Sequence, residues 1–309
     1  MASPQVVERQ INARRRWQIV LAVVFVVAFV ATSLLWGLQQ SGDRVSLWVL
    51  GALLIASLGR PRGWTRVLVD FVPLLAVLTL YDFLRGQAKG LVGHVFTYPQ
   101  IRVDEWLFGG TVPTVTLQHA LYTPGHVHVW DYLAFLIYLS YFFVPIVVAG
   151  LLWKFAYHRF HRFIALWVGL AMTAFVTYAL YPASPPWMAS DQGHIPRLTR
   201  ITPVISQQLG VNAARIMGSQ QFVNRVAAVP SLHAATILLI TLFFWPLTKR
   251  WRWLLASYPI AMGIALVYLG EHYVFDVLLG WLYAVIVYVV GSRLWDRWAL
   301  RRAARALSH

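Results

Sequence analysis

The sequence has no cysteine, which excludes disulfides, thiolate metal sites and cysteine nucleophiles and leaves the redox compartment open. Charge is also scarce: Asp, Glu, Lys and Arg make up 12% of the 309 residues, against about 25% in an ordinary soluble domain. The acids are fewest, 11 Asp and Glu against 26 Lys and Arg. Lysine is nearly missing, with Lys89, Lys154 and Lys249 its only occurrences. Internal repeats and low-complexity tracts are absent. What takes the place of charge is apolar, since 59% of the residues are hydrophobic and 15% aromatic. A soluble domain is excluded, and the chain reads as an integral membrane protein.

A membrane-spanning helix needs about 20 mostly apolar residues. Eight segments qualify, at roughly 17–38, 45–59, 66–84, 131–152, 163–181, 231–247, 253–270 and 275–292. The second is short and suits a tilted or re-entrant helix. The first follows Arg14-Arg15-Arg16, yet it is longer than a signal-peptide core and lacks a small-residue cleavage site, so it is read as a retained anchor. The net charge of +15 raises nucleic acid as a partner. The distribution of that charge argues otherwise. Eighteen of the 26 basic residues fall on the side that holds both termini, at 9–16, 60–66, 154–162, 249–252 and 293–305. The positive-inside rule then places both termini in the cytoplasm, and topology with anionic lipid accounts for the charge.

With that topology, His233 at the start of the sixth span faces the external side. So do His272 and Asp276, where the seventh span ends and the eighth begins. Two long segments, about 85–130 and 182–230, lie on the same side. The first mixes aromatic and aliphatic residues with Arg102, Asp104 and Glu105, a pattern expected of short amphipathic helices in the interface.

His272 and Asp276 are four residues apart and therefore share a helical face. The carboxylate can accept from one imidazole nitrogen and leave the other free to attack. It would also hold the tautomer and stabilise the charge that develops on the ring, as in a hydrolase triad. His233, after Pro230-Ser231, would protonate a departing oxygen as general acid. Imidazole, carboxylate and imidazole at a membrane face suit phosphoryl transfer through a phosphohistidine.

Pro230-Ser231-Leu232-His233-Ala234 and His272-Tyr273-Val274-Phe275-Asp276 resemble the second and third motifs of the type-2 phosphatidic acid phosphatase superfamily. Tyr181-Pro182-Ala183-Ser184-Pro185-Pro186-Trp187 looks like the first-motif region of its inositol phosphorylceramide synthase branch. The segments Tyr81 to Gly86 and Asp104 to Gly110 are similar to bacterial members of that branch. The resemblance covers roughly residues 80–290. It implies an all-α polytopic fold of about eight transmembrane helices, with a six-helix core and interfacial helices. It also implies an extracytoplasmic site with nucleophile His272, general acid His233 and supporting Asp276, and no metal or other cofactor. On this reading residues 1–65 carry the N-terminal tail and two added spans, 66–292 the phosphotransferase core and 293–309 a basic cytoplasmic tail.

Where the phosphatase branch has a Lys and an Arg in the first motif and an Arg before the third-motif His, this chain has Ala174, Tyr181 and Leu266 nearby. A transferring phosphoryl group still needs cationic donors. Arg225 and Arg85 are the candidates, with Ser231, Tyr273 and Glu271 as further substrate-binding residues. The missing phosphatase cations favour the synthase branch. The leading expectation is therefore transfer of a phosphoryl-alcohol headgroup, inositol phosphate first, from a phospholipid to a lipid or glycan hydroxyl. A lipid phosphate or polyprenyl diphosphate phosphatase is the second enzyme reading, and a non-catalytic lipid-binding or transport protein the third. His119, His126 and His128 lack a carboxylate at ligand spacing and read as a solvated loop.

Overall fold

The computed structural model describes residues 4–36, 42–57, 63–87, 94–209 and 225–307. All regular structure among them is helical apart from isolated bridges. Twelve α-helices follow in chain order: α1 (Pro4–Trp36), α2 (Gly42–Ser57), α3 (Gly63–Gln87), α4 (Tyr98–Leu107), α5 (Pro113–Leu121) and α6 (Val129–Phe155), then α7 (Tyr157–Leu180), α8 (Pro186–Asp191), α9 (Ile201–Gln208), α10 (Leu232–Phe244), α11 (Arg252–Tyr268) and α12 (Val274–Leu307). Each of the eight apolar segments coincides with one of the longer helices. Four stretches among the described residues are long and apolar enough to cross a membrane: Gly63–Leu80, Val129–Phe155, Tyr157–Leu180 and Val274–Ala306. Three shorter apolar ones, Arg16–Thr32, Leu232–Leu247 and Arg252–Tyr268, accompany them. The chain is an all-α polytopic membrane protein.

Two compact units divide the chain, residues 1–82 with 210–223 and residues 83–209 with 224–309. In the first, α1 and α2 pack through Trp48, which meets Phe25 and Phe29 edge-on at 5.0 and 5.3 Å. In the second, α10 is the central helix and touches α6, α7, α11 and α12. That place requires an apolar circumference, and Ile237, Leu239 and Ala234 on α10 are completely buried. α12 continues well past the expected span. At 34 residues it is about 51 Å long, against a hydrocarbon thickness of about 30 Å. The basic tail expected after residue 292 is helical to Leu307, because Leu, Ala and Arg are strong helix formers and no Pro or Gly follows Gly291.

The two long segments between spans fold into the short helices α4, α5, α8 and α9. Proline in the first turn starts α4, α5 and α8, where its missing N–H costs nothing. The Tyr181–Trp187 stretch joins this layer together. Its extended backbone bridges Phe96 on one side and Ala227 on the other. Phe96 N donates to the Pro182 carbonyl (2.8 Å) and Ala183 N to the Val226 carbonyl (2.6 Å), while Phe96 stacks on Tyr181 at 4.1 Å. Consecutive prolines suit an extended strand-like segment whose own N–H groups are few.

Candidate active site

The end of α11, the start of α12 and the start of α10 meet at one end of the bundle. The chain leaves α11 through Gly270, whose φ of +82° is the left-handed conformation that favours glycine. A Cβ there would also press on Leu198 at 3.2 Å and the Thr199 carbonyl at 3.4 Å. Four residues later α12 begins, so His272 lies in the loop before it and not on the helical face that its spacing from Asp276 predicts. Asp276 lies in the first turn of α12, completely buried, and its Oδ2 accepts from Tyr273 N at 3.0 Å and from His272 Nδ1 at 3.2 Å. An ionised carboxylate only accepts, so Nδ1 carries the proton and Nε2 presents its lone pair. The Asp276 Oδ1 makes no hydrogen bond.

His233 comes to the same place from α10. Its ring centroid is 5.6 Å from that of His272, with the planes inclined at 60°. α6 supplies an aromatic wall behind it: Tyr138 stacks at 5.1 Å, Tyr141 lies tilted at 4.1 Å and Phe142 meets it edge-on at 5.8 Å. The Pro230-Ser231 turn is fixed from two sides. Tyr178 donates its hydroxyl to the Pro230 carbonyl at 2.7 Å, and Ser231 N donates to the Asp276 carbonyl at 2.9 Å. α10 and α12 approach so closely here that a Cβ on Gly280 would collide with the Ser231 carbonyl oxygen. The two motifs are thus joined by main chain as well as by their rings.

The other sequence-predicted residues are placed differently from one another. Ser231 is the N-cap of α10, its hydroxyl accepting from Ala234 N, and it is fully buried. The Tyr273 ring is fully buried in an apolar cluster with Ile101, Val112, Ala189 and Ile195, and its hydroxyl makes no hydrogen bond. Both side chains therefore point into the protein and away from any solvent-facing site, although they lie within the motifs. Glu271 is buried too, and it receives Arg200 in a bidentate pair, Nε to Oε1 and Nη2 to Oε2, each at 2.9 Å. Thr202 donates its hydroxyl to the same Oε1. Arg225 is exposed beside the Val226–Ala183 bridge. The side chain of Arg85 lies outside the described residues.

Two functional candidates escape sequence reading. Arg200 sits with its guanidinium 4.6 Å over the Trp187 ring. Burial works against its charge, but the Glu271 carboxylate outweighs this and holds Arg200 above its ordinary basicity. Asp104, on α4, is completely buried, and its Oδ2 and Oδ1 accept from Val274 N at 3.0 Å and Phe275 N at 2.9 Å. Burial pushes this carboxyl up to about 6, against the pull of those two backbone donors. The sequence signal for Arg200 was its presence in an external segment, and for Asp104 its place at the head of the Asp104 to Gly110 segment.

Residues 268–270 are held by α5, α8 and α9. Gln118 of α5 donates to the Thr199 carbonyl (2.8 Å) and the Tyr268 carbonyl (2.9 Å) and accepts from Thr199 N (2.9 Å). Trp187 N donates to the Gly270 carbonyl at 3.3 Å, and Ile201 N to the Leu269 carbonyl at 3.2 Å.

The chain belongs to the PAP2 superfamily, whose model matches residues 101–290. It is 29% identical over 274 residues, 82% of this chain and 86% of the other, to the phosphoinositol dihydroceramide synthase of Bacteroides thetaiotaomicron. The family match and the synthase-named relative make this helical membrane bundle an enzyme acting on lipid phosphate. No solved structure matches it.

Proposed function

We propose that this protein transfers a phosphoryl-alcohol headgroup, inositol phosphate first among them, from a phospholipid to the hydroxyl of another lipid or of a glycan. The convergence of His233 on the His272–Asp276 pair, with ring centroids 5.6 Å apart, carries the reading. His272 Nε2 attacks phosphorus, the bond to the diacylglycerol oxygen breaks, and His233 gives that oxygen its proton. The phosphohistidine then accepts attack from the second hydroxyl, which returns its proton to His233 as the N–P bond breaks. Asp276 stabilises the imidazolium character of His272 through both steps.

Arg200 supplies the cation for the phosphoryl oxygens. Its Nε and Nη2 are engaged by Glu271, and Nη1 remains to donate toward the charge that develops in the transition state. Glu271 adjoins His272 in the chain, so the pair sets guanidinium and nucleophile on one rigid segment. The site faces the extracytoplasmic side and both termini the cytoplasm, a reading supported by the distribution of basic residues.

The relative's name makes phosphatidylinositol with dihydroceramide the first donor and acceptor to test. Purified protein in mixed micelles is expected to form phosphoinositol dihydroceramide and to release diacylglycerol in equal amount. Free phosphate released from phosphatidic acid or polyprenyl diphosphate, with no headgroup transfer, would establish the phosphatase reading instead. His272→Ala is expected to abolish transfer while leaving the detergent-solubilised protein folded.

A further inference from the structure

The first turn of α12 has donors that the helix itself cannot satisfy. Tyr273 N is taken by Asp276, and Val274 N and Phe275 N are taken by Asp104. Asp104 lies 170 residues away from Val274 in the chain. Asp276, at the third helical position, is the nearest alternative acceptor for these N–H groups, because a side chain there ordinarily reaches back to the start of its own helix. It also has an oxygen without a hydrogen bond, Oδ1. Were it drawn fully into capping, its hold on His272 Nδ1 would be lost. α12 thus has two carboxylates at one N-terminus, each with a separate task.

We propose that Asp104 is a positioning residue of the transfer reaction: it caps α12 from a separate helix and so leaves the Asp276 carboxylate to orient His272. The inference rests on the reading of His272 as nucleophile. The Asp104 carboxylate must be ionised to accept from both backbone donors at once, one on each oxygen. The titratable groups near it are Asp276 on α12 and Tyr273 in the loop. The residues packed against this face from the 189–198 stretch, Ala189, Ile195 and Leu198, are apolar. Its carboxyl is pushed up to about 6, so protonation of the cap falls within the range where activity can be measured.

The test compares wild type, Asp104→Asn, Val274→Pro and His272→Ala, using whichever of phosphatidylinositol, phosphatidic acid and polyprenyl diphosphate the wild type turns over. Asn at 104 can accept only one of the two N–H groups. It is expected to lower kcat by about 10- to 100-fold, the range of a small misplacement of catalytic groups, with KM unchanged. The wild-type rate is expected to fall as pH drops through about 6 and Asp104 takes up a proton. Asp104→Asn is expected to lose that limb of the profile. Proline at the first helical position is tolerated and removes the Val274 donor without touching Asp104. That variant is expected to move the Asp104 limb to higher pH, because one of the two bonds favouring the anion is gone.

Carbethoxylation of His272 at pH 8, followed by mass spectrometry, reads the pair without a lipid substrate. It is expected to slow several-fold in Asp104→Asn. Wild-type kcat, pH profile and carbethoxylation rate in Asp104→Asn, with His272→Ala inactive, would overturn the role of Asp104 and leave the nucleophile in place. Full activity in His272→Ala would overturn the reading beneath it. Should Asp104→Asn not fold, Val274→Pro decides by the same measures.

Discussion

Gly280→Ala is a one-methyl perturbation whose effect follows from the packing of α10 against α12. A Cβ at 280 falls far inside the 3.0 Å that real Cβ atoms keep from the Ser231 carbonyl oxygen, with the Ser231 carbonyl carbon and nitrogen at 3.3 and 3.4 Å. The obstacle is backbone, not the flexible end of a side chain. Ser231 is itself tied to Asp276 by its N–H and begins the helix that carries His233. Restoring an ordinary carbon–oxygen separation means moving the two helices apart by about 1 Å. Such overpacking costs about 1–3 kcal/mol of stability, and a 1 Å misplacement of reacting groups costs about 100-fold in rate. The displacement acts directly on the 5.6 Å separation of His233 and His272.

The assay is headgroup transfer in mixed micelles alongside thermal unfolding in detergent. Gly169→Ala on α7 is the control, because a Cβ there meets only Val287 Cγ1 at 4.0 Å. The control is expected to be neutral or slightly stabilising, since Ala is favoured over Gly within a helix by about 1 kcal/mol. Gly280→Ala with the control's activity and melting temperature would refute the argument that main-chain proximity sets the distance between the two histidines.

The remaining predictions concern single contacts. Asp276→Asn is expected to keep the fold and lose at least 100-fold in kcat, because the amide can present the wrong group to Nδ1; single-turnover kinetics checks it. Arg200→Lys is expected to lose most activity although charge is kept, since one ammonium cannot bond Glu271 twice and still face phosphate, and kcat/KM measures the loss. Gln118→Ala leaves the Thr199 N–H and two carbonyls without their partner and is expected to cost about 1–3 kcal/mol, read by thermal unfolding in detergent. Asp104 also makes stability depend on pH in a definite direction. Its folded pKa of about 6 lies above the unfolded value, so the folded state favours the proton, and the stabilising contribution present below about pH 4 is lost as pH rises through 6, by roughly 2–3 kcal/mol at 1.36 kcal/mol per unit. The melting temperature of wild type relative to Asp104→Asn is therefore expected to fall from pH 4 to pH 7 while activity rises.

Hydropathy made the spans legible, because about 20 apolar residues in a row have few other uses. The His272–Asp276 pair was legible from its spacing, but not for the helical reason: His272 lies in the loop before α12, and Asp276 reaches it from the first turn of the helix. Meeting His233 required only that both motifs lie at the same end of the bundle. Asp104 and Arg200 were not legible as partners of α12 and Glu271. Their contacts cross 170 and 71 residues of sequence, and nothing in local periodicity specifies which surface helix lands on which loop. Tyr273 shows the converse. Adjacency to His272 marks it as a motif residue, but a neighbour in an extended turn points elsewhere, and the ring packs among Ile101 and Val112.

The fastening of residues 268–275 by the four surface helices α4, α5, α8 and α9 has a consequence for the order of assembly. Spanning helices insert first and associate afterwards. Contacts such as Asp104 with Val274 and Gln118 with Tyr268, 170 and 150 residues apart, carry the largest loop-closure entropy and form late. On the proposed reading of His272 as nucleophile, a bundle that has inserted but not yet gathered its outer layer is inactive, and transfer begins only when the last stage of folding is complete.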